Sequence, residues 1–420
     1  MSTERVEMTG ERQRDRREVA RAQQESADIA WLSGPEAHDA LDAALRTSSA
    51  RLAAADVHEV HHRPGAGVTI GYDARVRGPG GEEQAEYLLA TTAHVAPELL
   101  REGVVRLERG DRVLHVWRHP EDPVLPGLAL ASDVDVATAR TGLDADPGDV
   151  VLELIGYRPM RRAVLSVSSG QRRLYLKVVR PDQLEGLRAR NRFAEPAGAP
   201  PVLDVWPESV LVFPQAEGEP LPELLARDGA AEIDPRDLLR TLDAIEPGAL
   251  ELPLRRPWAE RSRHYADAAC NVLPGEVPRI RALQRDVERA VNGLAAGPMV
   301  PTHGDFHAAN VLTANGTVSA LLDVDTIGPG RRVDDLACLI GHLTVLPCLA
   351  PEVYPRVPAT ITAWLAVFDQ VVPPRALRAR AAGVVLSLLA SMPIPDGERG
   401  MKDALGRLAV AEALMADATR

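Results

Sequence analysis

The stretch Pro301–Asp325, PTHGDFHAANVLTANGTVSALLDVD, constrains this chain more than any other. Val300 with the residues before it reads as a short strand, Val311 and Leu312 as a second, and Ser319–Val324 as a third. Asn315-Gly316 is the dipeptide that most readily closes a two-residue hairpin, because both positions tolerate a left-handed backbone. In such a frame Asp305, Asn310 and Asp323 stand at loops and strand ends, free to converge on one point.

Two carboxylates and an amide so arranged suit phosphoryl transfer. That reaction needs a carboxylate to orient a hydroxyl and take its proton, and oxygen ligands for magnesium bridging nucleotide phosphates. His303, Asp305 and Asn310 keep the H-x-D-x-x-x-x-N spacing of kinase catalytic loops, and Asp323 follows an apolar run. Asp305 is thus the expected base, with Asn310 and Asp323 the expected metal ligands. The bland alternative is a polar hairpin with solvated carboxylates. A zinc site on His303, Asp305 and His307 is disfavoured, since Gly304 and the following Ala-Ala-Asn favour a loop and no cysteine accompanies them. A hydrolase elbow G-x-S-x-G is absent.

HGDFHAAN followed by LLDVDTIGPGRRVDDLA resembles the catalytic half of aminoglycoside phosphotransferases and their relatives, the choline, maltose, glucosamine and homoserine kinases. The resemblance is specific over residues 299–340, looser over 150–220, and does not account for the first 140. It implies an α+β, two-lobed protein kinase-like fold, with a β-rich N-lobe and a helical C-lobe. Its activity would use ATP, or GTP, with magnesium on a small-molecule hydroxyl. In that frame His303 buttresses the loop and Asp335 holds it. His307 stands where many kinases place a phosphate-contacting lysine, and packing is its equal alternative. The resembling chains carry Gly-Asp where this one has Gly330-Arg331.

Composition narrows the classes. Net charge is −12, pI is near 5.5 and only 4 % of residues are aromatic, so binding to a phosphate backbone or stacking of single strands is not expected. Three cysteines without a C-x-x-C pair point to free thiols in a reducing cytoplasm. The charged N-terminus is unlike a signal peptide and no apolar run reaches membrane-spanning length. Of 48 basic residues only Lys177 and Lys402 are lysine.

Residues 1–25 read as disordered or a loose helix. Residues 26–140 form an additional N-terminal, mostly-β cap domain. Leu41, Ala44 and Leu45 lie on a helical stripe, and strands are expected at Val57–His62, Val68–Val76, Glu86–Thr91, Val104–Leu107 and Val113–Trp117. Residues 141–216 form the N-lobe, with strands at Val151–Ile155, Ala163–Val167 and Leu174–Val179. The turn Tyr157-Arg158-Pro159 echoes His62-Arg63-Pro64 at an offset of 95 residues, and Val68 and Ile70 line up with Ala163 and Leu165. This is either an internal duplication or two coincident hairpins. In a duplication, Leu88-Leu89-Ala90 stands near the place of Leu176-Lys177-Val178.

Lys177, mid-strand in LYLKVV, is the candidate to pair nucleotide phosphates; the alternative is a lysine guarding a sheet edge. Glu185 is its candidate helix partner, with Glu195 competing. No G-x-G-x-x-G occurs, and Met160 stands where similar chains often have glycine, which leaves Arg158 and its neighbours to grip phosphates or form a solvated basic hairpin. Val210–Phe213 leads to a hinge at Gln215 and Ala216, whose backbone would meet the purine. Residues 217–420 are the helical C-lobe: Asp234-Pro235 and Val277-Pro278 open helices, Asp334 or Asp335 caps a third, and others span 359–370, 375–391 and 402–416. Asp325, two past Asp323, is expected on the same side of a strand, assisting the metal or standing solvated. With its extra N-terminal unit the chain resembles the maltose and glucosamine kinases more than compact antibiotic kinases, which implies a sugar or amino-sugar acceptor, with an antibiotic or a choline-like acceptor as the open alternatives. A catalytically silent nucleotide-binding protein is the remaining alternative.

Overall fold

Val68, Ile70, Tyr72, Ala74 and Val76 alternate with Thr69, Gly71, Asp73 and Arg75, and a strand with that pattern buries one face. The first five are at most 4 % exposed. They lie on β2 (Val68–Arg77), the second strand of an antiparallel sheet of β1 (Arg51–His62), β2, β3 (Glu83–Thr91), β4 (Val104–Arg109) and β5 (Arg112–Arg118), in spatial order β1-β2-β3-β5-β4. Two helices, α1 (residues 23–32) and α2 (Glu36–Arg46), supply Leu32, Leu41 and Leu45 to the same core. Full burial of each leucine contributes about 2 kcal/mol. The computed structural model describes residues 21, 23–62, 65–101, 103–110, 112–143 and 147–420. The expectation for residues 1–25 therefore falls largely outside the described residues, as do Arg63 and Pro64 of the echoed turn.

The arrangement then recurs. A short helix α3 (Leu128–Ala131) and α4 (Val134–Thr141) precede β6 (Val151–Arg158), β7 (Arg162–Ser169), β8 (Arg172–Val179), β9 (Asp204–Trp206) and β10 (Val210–Pro214), whose order β6-β7-β8-β10-β9 repeats that of the first sheet. Leu128, Ala131 and Ala137 pack with Ala163, Leu165, Val167 and Leu176. At the offset of 95, Thr69 corresponds to Val164. Their ladder partners are Thr91 and Lys177, so the counterpart of the lysine is Thr91 rather than a residue of Leu88–Ala90.

The chain divides into two compact units, one reaching to Leu184 and including Leu203–Pro214, the other comprising Glu185–Val202 and Gln215–Arg420. Both five-stranded sheets belong to the first. The second holds α5 (Leu184–Ala194) beyond its first residue, β11 (Glu219–Pro220), α6 (Leu221–Asp228), α7 (Pro235–Asp243), α8 (Ser262–Val272), α9 (Val277–Gly293), β12 (Met299–Thr302), β13 (Val311–Ala314), β14 (Thr317–Leu321), β15 (Gly328–Arg331), α10 (Arg332–Leu349), α11 (Val357–Phe368), α12 (Pro374–Ala390) and α13 (Gly397–Thr419). This is an α+β arrangement, a β-rich part followed by a mostly helical one. All three cysteines are free thiols. Among the described residues no helix is long and apolar enough to cross a membrane.

Several boundaries differ from expectation for identifiable reasons. The alanine-rich start of β1 is helix-prone, yet it pairs with the end of β2, so tertiary pairing overrides propensity. Asp334 and Asp335 cap nothing: Arg331 is the N-cap of α10 and both carboxylates sit inside its first turn.

Candidate active site

Antiparallel pairing of β12 with β15 ends at Thr302 opposite Gly328, and the chain turns immediately afterwards. Gly304 makes that turn at φ +81°, and a Cβ there would lie 2.8 Å from the carbonyl oxygen of Thr326, so only glycine fits. Asp335, 1 % exposed, holds the turn from below: its carboxylate accepts from the backbone N–H of His303 (3.0 Å) and of Gly304 (2.8 Å). Burial pushes this carboxyl upward, opposed by Arg332, His303 and the two amides.

His303 is fully buried and acts as a brace. Its Nε2 donates to the carbonyl of Leu322 (2.9 Å) and its Nδ1 accepts from the backbone N–H of Asp305 (3.3 Å). Leu322 N–H in turn donates to the carbonyl of Asn310 (2.8 Å), and Thr326 Oγ1 to that of His303 (2.6 Å). The loop bearing Asp305 and the segment bearing Asp323 are thereby stitched into one body.

Asn310 Nδ2 donates to the Asp305 carbonyl (3.0 Å) and stands 3.3 Å from His307 Nε2. This sets the amide orientation, and the Asn310 oxygen is a hard donor of the kind magnesium accepts. Asp323 has a left-handed backbone, φ +50°, unusual for an aspartate and frequent where function imposes it. Among the described residues no three His, Cys, Asp or Glu side chains form a metal cage. An amide oxygen and a carboxylate are the kinds of hard donor that a magnesium ion accepts when phosphates and water complete its shell.

The strand expected to run to Val324 stops at Leu321. Residues 324–326 form a single 3₁₀ turn, so the period of two does not apply to Asp325. Its charge acts instead on Arg190, whose Nε donates to the Ile327 carbonyl (3.2 Å).

Asp305 is half-buried on the wall of a cavity of about 320 Å³ lined also by His307, His342, Tyr265, Trp258 and Ser387. Trp258 and Tyr265 stack at 5.9 Å, with the Arg261 guanidinium over both rings. The rings of His307 and His342 lie 4.7 Å apart. Burial lowers both histidines, His342 to about 4; at His307 the carboxylates of Asp305 and Asp323 pull the other way. Both rings are therefore neutral at pH 7, and among the described residues Asp305 is the only carboxylate on this wall. Cys338 Sγ lies 3.8 Å from Asp305 Oδ1, and burial drives that thiol far above its ordinary range.

The remaining candidates lie elsewhere. Lys177 sits in the first unit, mid-strand between Val164 and Leu211, on the face opposite the buried Leu176 and Val178. Arg158 is exposed at the end of β6. Glu185 is exposed and bonds to Arg188 three residues on (3.1 Å). Gln215 and Ala216 follow β10 directly. Tyr265, Trp258 and His342 carried no signal in the sequence, because α8, the 3₁₀ turn Trp258–Arg261 before it and α10 bring them to Asp305 only on folding.

A model of the phosphotransferase enzyme family matches residues 161–353. No curated protein matches the chain. Among solved structures, a thermostable mutant of aminoglycoside phosphotransferase APH(4)-Ia with ADP and hygromycin B is 18 % identical, covering 68 % of this chain and 98 % of that one, TM-score 0.48. Macrolide 2'-phosphotransferase MphH from Brachybacterium faecium is 19 % identical, with coverages of 69 % and 97 % and TM-score 0.40. Choline kinase from Cryptosporidium parvum Iowa II is 14 % identical, with coverages of 67 % and 95 % and TM-score 0.46.

Proposed function

We propose that this chain, whose residues 161–353 match the model of the phosphotransferase enzyme family, moves the γ-phosphate of ATP to a hydroxyl of a sugar or amino sugar. The observation that carries this reading is Asp305. Its backbone is locked by Asp335 and His303 while its carboxylate stays half-exposed on the wall of a cavity large enough for a sugar ring.

Asp305 would accept a hydrogen bond from the acceptor hydroxyl, align its oxygen with the γ-phosphorus and take the proton as the new P–O bond forms. Asn310 Oδ1 and Asp323 would hold magnesium, which when bound neutralises charge on the phosphate oxygens. Lys177 and Arg158 would fix the phosphates, and Gln215 and Ala216 would meet the purine; GTP in place of ATP is compatible with such backbone contacts. His307, neutral and beside Asp305, is placed to contact the acceptor or the γ-phosphate.

The wall favours a sugar over a polycationic antibiotic. An aminoglycoside calls for several carboxylates, and among the described residues Asp305 is the only one on this wall. The apolar face of a sugar ring suits Trp258 and Tyr265, while the neutral histidines and Ser387 suit its hydroxyls.

Nucleotide consumption measured with glucose, glucosamine, maltose and hygromycin B tests the reading. Turnover is expected with a sugar, and Asp305→Asn should reduce it by about a thousandfold. Turnover with hygromycin B alone would reassign the acceptor. Unchanged turnover in Asp305→Asn would remove the mechanism.

A further inference from the structure

The first sheet carries none of the groups assigned to phosphoryl transfer, yet its non-core face is buried as well. Leu89 and Thr91 are 0 % exposed and Trp117 1 %. The β6–β7 turn of the second sheet comes against this face. Trp117 Nε1 donates to Tyr157 Oη (3.4 Å), and the rings of Tyr87, His119 and Tyr157 follow one another at 6.3 and 5.0 Å.

At this junction lies Asp122, 2 % exposed. Its Oδ2 accepts from Tyr157 Oη (2.7 Å) and from the Met160 backbone N–H (2.8 Å), while Oδ1 accepts from Val124 N–H (3.0 Å). Met160 stands at φ +60°, a conformation that costs a residue with a side chain about 1–2 kcal/mol. The turn therefore holds a strained backbone where glycine would be the ordinary solution, and its amide is anchored to a carboxylate from outside the sheet.

The first sheet has the same device. Glu25 of α1, 3 % exposed, accepts from the N–H groups of Gly65 (2.8 Å) and Gly67 (3.1 Å) and contacts His62 Nε2 (3.0 Å). In each sheet a buried carboxylate, supplied from before the first strand, grips the backbone of the first hairpin turn.

We propose that Asp122 is a positioning residue for the nucleotide: it pins the Tyr157–Arg162 turn to the first sheet so that the turn meets the phosphates already set. A glycine-rich turn would settle only on binding and lose ordering entropy then; a pinned one has lost it on folding. The first sheet thus serves as the anchor of the turn. This inference rests on the kinase reading, in which the turn and Arg158 meet the phosphates.

Asp122→Asn keeps the Val124 contact through Oδ1 but sets an N–H₂ against the Met160 N–H; Tyr157→Phe removes one donor at constant ring size. Binding of the fluorescent analogue mant-ATP with magnesium needs no acceptor, and hydrogen exchange of residues 157–162 reports the turn itself. Asp122→Asn should weaken mant-ATP about tenfold and Tyr157→Phe about threefold, with faster exchange of the turn and unchanged KM for the sugar acceptor. Should Asp122→Asn fail to fold, Tyr157→Phe decides. Affinity within twofold of the parent in a folded variant, while Lys177→Ala abolishes binding, overturns the anchoring role. No mant-ATP binding by the parent protein, or binding indifferent to Lys177→Ala, overturns the kinase reading and this inference with it.

Discussion

The two five-stranded sheets share strand order, flanking helix pair and a carboxylate grip on the first turn, and differ in what lies on the face away from the core. In the second sheet that face presents Lys177. In the first it presents Thr91, whose Oγ1 lies 2.7 Å from that of Thr69 and donates to the Val68 carbonyl (2.9 Å). A hydroxyl satisfied inside its own sheet has nothing left to offer a phosphate. One scaffold has thus been closed by internal hydrogen bonds and aromatic packing while the other keeps a cation.

The sharpest way to break this comparison is paired substitution at Lys177 and Thr91. Lys177→Ala should reduce kcat/KM by about 100- to 1000-fold with the melting temperature unchanged. Thr91→Val should leave turnover intact and lower stability by about 1 kcal/mol. Comparable losses of turnover from both would mean that the first sheet still takes part in chemistry.

A stability contrast follows from the turns. Gly67 sits at φ +85° and a Cβ there would lie 2.6 Å from the Cα of Ala93, whereas Gly170, at φ +58°, has nothing within 4 Å. Gly67→Ala should cost about 3 kcal/mol in denaturant unfolding and Gly170→Ala about 1 kcal/mol. Equal costs would show that the first sheet yields as easily as an exposed hairpin.

Acid should separate the sheets further. Burial lowers His115 and His119 of the first sheet, and hydrogen bonds from His62, Gly65 and Gly67 lower Glu25 in spite of its burial. The unfolded chain binds protons at these groups that the folded one refuses, so their stability is present above the unfolded values and lost as pH falls from about 6.5, by at most about 1.4 kcal/mol per pH unit for each histidine. Asp122 behaves oppositely: burial raises it, so its contribution is greatest in acid and lost as pH rises above 3.8. Hydrogen exchange at pH 5 against pH 7.5 should therefore show β1–β5 loosening before β6–β10. A comparably small effect is expected of Tyr72→Phe, which removes the hydrogen bond to the Leu32 carbonyl (2.7 Å) and should cost about 1 kcal/mol by thermal melting.

Much of this was legible in the residues alone. The spacing of Asp305, Asn310 and Asp323 is a local pattern, and period-two alternation placed most strands of both sheets to within a few residues. Asn315-Gly316 closed its hairpin with both residues at positive φ, as turn chemistry requires. The period-two argument does not reach Asp325, because the strand ends at Leu321, four residues earlier, and Asp323 turns left-handed between them.

The chain's order of amino acids determined by itself most of the strands, the turn at Gly304 and the types of group available for chemistry, since backbone sterics and side-chain periodicity act between near neighbours. Tertiary structure alone decided which distant residues meet: His342 and Tyr265 beside Asp305, Asp122 beneath Met160, Thr91 in the place of Lys177. Those pairings depend on how separate elements pack to bury apolar surface and satisfy buried polar atoms, and no local pattern encodes that.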